Sequence, residues 1–126
     1  METIVVSVGE LLDKLTILEI KKMKIKDEEK IIHIEKERSF LSDKSIEYLK
    51  DDKIKECFDE LLVINSKLWV VEDILRDMEA ESRFDNEFIE NARLVYKTND
   101  KRFEIKNRIN DLTNSAIKEQ KSYKKY

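Results

Sequence analysis

The clearest pattern in the chain is a run of apolar residues that steps by four and three: Cys57, Leu61, Ile64, Leu68, Val71, Leu75 and Met78. This heptad spacing keeps one stripe facing a single partner helix, and it predicts a helix over about 52–82, about 45 Å long. At about 1.5–3 kcal/mol per buried side chain, packing is the stripe's first task. Beside it runs a second stripe, Phe58, Leu62, Asn65, Trp69 and Glu72, in which large apolar groups alternate with polar ones.

Three further helices follow from the same reading. Ile4 to Val6 form an extended lead-in, and Ser7 with Glu10 makes a capping box that opens a helix over about 7–25. Val8, Leu11, Leu12, Leu15, Leu18 and Ile25 share its broad face with Glu19 and Lys22, while Ile17 and Ile20 lie on the far side. An apolar surface on two sides suits a central helix. Asp27, Glu28 and Glu29 start a second helix over about 28–42, followed by a connector with a turn near Ile46, Tyr48 and Leu49. Asp85, Asn86 and Glu87 start the last helix, over about 86–119. Phe88, Ala92, Val95, Tyr96, Phe103 and Ile117 set its inward phase, which Asn99, Lys106 and Asn110 share. Leu94, Ile105, Ile109, Leu112 and Ala116 form a second stripe nearly opposite, which one monomer is not expected to cover; a homodimer or a partner helix is the expected remedy. Residues 120–126 read as a mobile tail in which Tyr123 is able to dock. The expected fold is all-α: one domain over 1–126, an elongated antiparallel bundle of about four helices whose longest pair forms a hairpin.

Composition agrees with long helices: 42% of residues are charged, there is one glycine and there is no proline. Residues 1–82 hold 14 basic and 21 acidic side chains and residues 83–126 hold 11 and 7, so the halves carry −7 and +4 and together the net −3. That split lets one half attract the other and does not call for nucleic acid. The lone Cys57 excludes an intrachain disulfide and sits on an apolar stripe, as a small hydrophobe. The segment METIVVS lacks a basic cluster and a long apolar run, and no later stretch approaches a membrane span, so a cytoplasmic protein with no membrane contact is expected.

Motifs for much of enzyme chemistry are missing: no glycine-rich phosphate loop, CxxC or HExxH occurs, and His33 stands alone. Glu56 and Asp59 form an isolated ExxD, but Ile32 follows Glu28 and Glu29 where a magnesium-binding helical hydrolase needs a third acid. The first helix lacks the arginine that a helical chorismate mutase needs. No catalytic residue, metal or cofactor is therefore assigned, and the chain leans away from enzymes. What stands out is a polar layer on faces that ought to be dry: Glu19 and Lys22, Asn65 and Glu72, and Asn99, Lys106 and Asn110. Unpaired burial of such groups is costly, so they should meet one another, water or a ligand, and Glu19 with Lys106 is the expected pair. Arg93, Tyr96, Asp100 and Arg102 flank the layer and, with Trp69, complete a candidate grip for a small phosphate or carboxylate. The alternative is a layer that only fixes helix register.

The strings SVGELLDKLTILEIK, NSKLWVVED, RLVYKTNDKRFEIKNRIN and KSY resemble a family of short bacterial helical proteins known as a domain of unknown function. The resemblance implies an accessory role near cell-surface polysaccharide and glycosyltransferase genes, and it carries over no catalytic residue. It draws attention to Glu10, Asp13, Lys14 and Asp73 besides the layer itself. This chain has valines where many members have a proline before the opening serine. Two functions stay open: a non-catalytic assembly or adaptor protein, and a binder of, or enzyme for, a small anionic metabolite such as a sugar nucleotide.

Overall fold

The computed structural model describes residues 1–126 and contains helices and no strand. In order these are α1 (Val8–Lys24), α2 (Glu28–Ser45), a 3₁₀ turn at Tyr48–Lys50, α3 (Asp52–Ala80) and α4 (Asn86–Leu112). Each long helix begins at an acceptor side chain: Ser7, Asp27, Asp51 and Asp85 each take a backbone N–H of the first turn. None of the helices is long and apolar enough to cross a membrane.

The α3 seam is inward throughout, with Cys57, Leu61, Leu68, Val71 and Met78 buried. α3 and α4 pack as a long hairpin, and α1 lies against α2, α3 and α4 alike, the central position its two apolar sides predict. Leu12 and Leu15 of α1 meet Ile54, Cys57, Phe58 and Leu61 of α3 and Ile105 and Ile109 of α4 in one core cluster. Ile105 and Ile109 of the second α4 stripe are thus covered within the chain. α1 takes up Ile105 and Ile109, and Leu112 at the helix end, with Ala116 beyond it, faces outward.

Three ion pairs join α2 to α1. Glu19 accepts from Arg38 at 2.6 Å, and Lys14–Glu37 and Lys22–Glu35 flank that pair at 3.5 and 3.2 Å. The expected Glu19–Lys106 pair does not form. Glu19 is nine residues beyond Glu10, about 180° around the helix, so a helix that turns Glu10 toward α4 turns Glu19 toward α2.

Two helix ends differ from expectation for one reason. α3 stops at Ala80 and α4 at Leu112, seven residues short of Glu119, because Ser82 and Asn114 adopt left-handed φ values of 52° and 56°. Arg83 N–H then bonds to the Met78 carbonyl and Ser115 N–H to the Asn110 carbonyl, both at 2.9 Å, the closure of a Schellman motif. The only glycine is spent elsewhere. A Cβ built on Gly9 would stand 2.5 Å from the backbone oxygen of Lys106 and 2.8 Å from Asn110 Oδ1, so α1 and α4 cross there nearly backbone to backbone. α2 runs three residues past the expected 42, to Ser45, whose buried hydroxyl bonds to the Leu41 carbonyl.

Gly9→Ala is expected to destabilise the fold by about 1–3 kcal/mol, although alanine favours a helix, because the obstructing atom is backbone and has no room to yield. Urea unfolding of the two proteins reads this directly; equal midpoints would show that α1 and α4 do not approach so closely.

Candidate functional site

The close crossing at Gly9 brings the polar residues of α1 and α4 face to face. Val8 N–H donates to Ser115 Oγ at 3.2 Å, Gly9 N–H to Asn110 Oδ1 at 2.7 Å and Glu10 N–H to Ser7 Oγ at 3.1 Å. The first turn of α1 is thereby satisfied, partly by the end of α4. The capping box is only half built, because the Glu10 carboxylate reaches across to Lys106 Nζ at 2.8 Å.

One turn along α1, Asp13 is 2% exposed. Its Oδ1 accepts from Arg102 Nε at 2.8 Å and from Asn65 Nδ2 at 2.9 Å, and its Oδ2 accepts from Arg102 Nη2 at 2.6 Å. Asn65 also donates to Thr16 Oγ1 at 2.8 Å, and Thr16 donates to the Asp13 carbonyl at 2.6 Å. Three helices thus fix a bidentate fork. The Arg102 pKa is raised, chiefly by the hydrogen bonds to Asp13, against an opposing effect of burial. Arg102 Nη1 makes only a long bond, 3.4 Å, to Asn99 Oδ1, which leaves donors on the open side of the guanidinium.

That side opens on a cleft of about 230 Å³ lined by Glu10, Asn99, Arg102, Phe103, Lys106, Glu119 and Lys121. Lys106 is buried, with Nζ 2.8 Å from Glu10 and 2.7 Å from Glu119. Burial works against its charge, but the two carboxylates prevail and raise its pKa, so it is an ammonium and not a nucleophile. Glu119 also meets Lys121 at 3.2 Å, and Lys121 lies 5.7 Å from the centre of the Phe103 ring. Arg102, Lys106 and Lys121 therefore face Asp13, Glu10 and Glu119, a balance of three charges against three.

Of the residues singled out from sequence, Asn99, Arg102 and Lys106 come together at this cleft. Tyr96 and Asp100 lie farther along α4, where the Tyr126 ring meets Tyr96 edge-on at 5.4 Å and the Tyr126 phenol lies near Asp100. Arg93 is exposed and pairs with Glu90 at 3.1 Å. Glu19 belongs to the α1–α2 contact, Trp69 is half-buried on α3, and Glu72 is exposed. Sequence reasoning passed over Gly9, Phe103, Glu119 and Lys121 and gave Asp13 no role. A signal for Asp13 exists: it shares a face with Gly9 and Thr16 at four- and three-residue steps and stands among leucines. Glu119 and Lys121 carry no such signal, since only the left-handed turn at Asn114 returns them to α4.

The chain belongs to DUF6165, a family of unknown function whose pattern matches residues 2–126. No curated protein and no solved structure matches it.

Asp13→Ala is expected to cost about 3–5 kcal/mol, because it strands the Arg102 guanidinium and the Asn65 amide in a buried setting. Denaturant unfolding tests this, and a loss below about 1 kcal/mol would mean that the fork is solvated. The returning segment has a pH dependence of its own. Burial opposes the Glu119 carboxylate, but Lys106 and Lys121 outweigh it and hold its pKa below the ordinary 4.5. The neighbouring Asp100 carboxylate, followed by desolvation, pushes Tyr126 up to about 12 from 10.0. A lowered acid stabilises docking above its ordinary value and is lost as pH falls through the docked value; a raised phenol stabilises docking below its ordinary value and is lost as pH rises through the docked one. Docking should therefore be firmest between 4.5 and 10.0 and loosen on either side. Carbon-13 relaxation of residues 116–126, followed from below 4.5 to above 10.0, reads it, and a profile that stays flat beyond both ends would contradict it.

Proposed function

We propose that the chain is a non-catalytic binder of a small anionic metabolite, held at the α1–α4 cleft by Arg102 and Lys106. The observation that carries this reading is the Asp13–Arg102 fork: a guanidinium fixed from behind by a carboxylate buried within the bundle, with donors left over on the cleft side. A preorganised donor set gains affinity because little ordering remains for the ligand to impose. A volume of about 230 Å³ suits one phosphate or carboxylate group, with the remainder of the ligand outside.

Binding is favoured over catalysis by the state of the side chains. Lys106 is held charged, the Cys57 thiol is buried and pushed up chiefly by desolvation, and neither is placed to attack a substrate. The assembly reading drew on the α3 seam and the second stripes, and Cys57 and Leu61 of the seam with Ile105 and Ile109 of the α4 stripe are taken up by the core of this chain. A sugar nucleotide meets the requirement, with its diphosphate at Arg102 and Lys106 and a ring against Phe103. Such a ligand also suits an accessory role in polysaccharide synthesis.

Thermal unfolding with millimolar inorganic phosphate, nucleoside diphosphates, sugar nucleotides and phosphorylated sugars tests the reading. At about 100 times the dissociation constant a ligand contributes about 2.7 kcal/mol, a shift of several degrees for a chain of this size. Arg102→Lys, which keeps the charge and loses the fork, is expected to abolish most of the shift. A flat response across the whole panel would contradict the proposal.

A further inference from the structure

The carboxylate of Glu119 sits where an anionic ligand would sit. It lies between the ammonium groups of Lys106 and Lys121, at 2.7 and 3.2 Å, and lines the same cleft as Arg102. It arrives there on a segment with a consistent course: Lys118 meets Asp111 at 2.8 Å, Glu119 meets Lys106, Lys121 covers Phe103, and Tyr126 reaches Tyr96 and Asp100. Numbers rise along the segment as they fall along α4, so residues 113–126 run back over the helix as a strap. Beyond Ser115 the strap makes no backbone–backbone hydrogen bond. Side chains hold it, in partly exposed ion pairs and aromatic edges that water and salt weaken readily.

We infer that Glu119 is an intramolecular stand-in for the ligand's anionic group, and that residues 113–126 are a strap which a phosphate- or carboxylate-bearing ligand displaces from the cleft. The inference rests on the reading of the cleft as an anion site. Displacing the strap takes Glu119 and Lys121 away together, so Arg102 and Lys106 are left facing Asp13 and Glu10, and Lys106 gives up one of its two carboxylate partners for an incoming anion to replace. Removing Lys121 uncovers the Phe103 ring, a face for a sugar or base attached to that anion. The strap also supplies selectivity: a ligand has to offer both an oxyanion for Lys106 and Arg102 and a group for Phe103 to replace what the strap gives up.

Calorimetric titration with inorganic pyrophosphate, alongside amide relaxation of residues 116–126, tests the strap. If the strap covers the cleft in about nine molecules of ten, Glu119→Gln is expected to bind about tenfold more tightly than the parent chain. Pyrophosphate should also mobilise residues 116–126 of the parent. Tyr126→Ala removes the ring that meets Tyr96, loosens the far end without touching the cleft and is expected to tighten binding severalfold. Equal affinities in all three proteins, with the strap still rigid in the complex, would overturn the strap and leave the anion site standing. Tightening by Glu119→Gln but not by Tyr126→Ala would mean that Glu119 acts through local charge alone, which also overturns the strap. No heat with any of the three would overturn the strap and the anion site together.

Discussion

A carboxylate inside a helical bundle has to be answered, and the answer to Asp13 organises this protein. At 2% exposure Asp13 cannot rely on water. Its two oxygens are served by Arg102 from α4 and Asn65 from α3, so one acidic side chain on α1 ties three helices into a single register. Hydrophobic packing along the α3 seam holds the helices together but tolerates sliding by a turn. The Asp13 fork does not, because the Nε and Nη2 donors on one edge of the Arg102 guanidinium reach both oxygens of Asp13 only in this register.

The backbone is arranged to permit that fork. With one glycine in the chain, the position lacking a Cβ is placed where α1 and α4 cross, and the left-handed turns that often use glycine fall to Ser82 and Asn114. Asn114 serves twice. It ends α4 so that Ser115 reaches the Val8 amide, and it sends the remaining chain back toward Lys106 and Phe103. One stretch of chain, from Asn99 on α4 to Ser115 just beyond it, thus contributes to core, helix cap and cleft alike.

Much of the fold was legible because helix periodicity and N-caps are local signals. Asp27 and Asp85 start helices where their acceptors predict, and the step from Cys57 to Met78 marks a buried face. The α4 end was not legible. Apolar phase continues through Ile117, and only the φ of Asn114 breaks it. In the site, Asn99, Arg102 and Lys106 were visible as polar residues on an inward face, but their partners were not. Pairing depends on which side of α1 meets α4, and Gly9 decides this through a missing Cβ that carries no periodic signal. Glu19 shares a broad apolar face with the core leucines and still turns to Arg38, since a face wide enough to meet three helices gives no address for any one charge.

The central claim is that Asp13 holds Arg102 in place as an anion donor, and the Nε–H of Arg102 reports on it most directly. In a nitrogen-15 spectrum this proton is predicted to exchange slowly with water, and adding inorganic phosphate should shift its resonance while the Nε–H signals of Arg76 and Arg83 stay in place. An Arg102 signal that exchanges as fast as those of the exposed arginines and ignores phosphate would contradict both the fork and the site built on it.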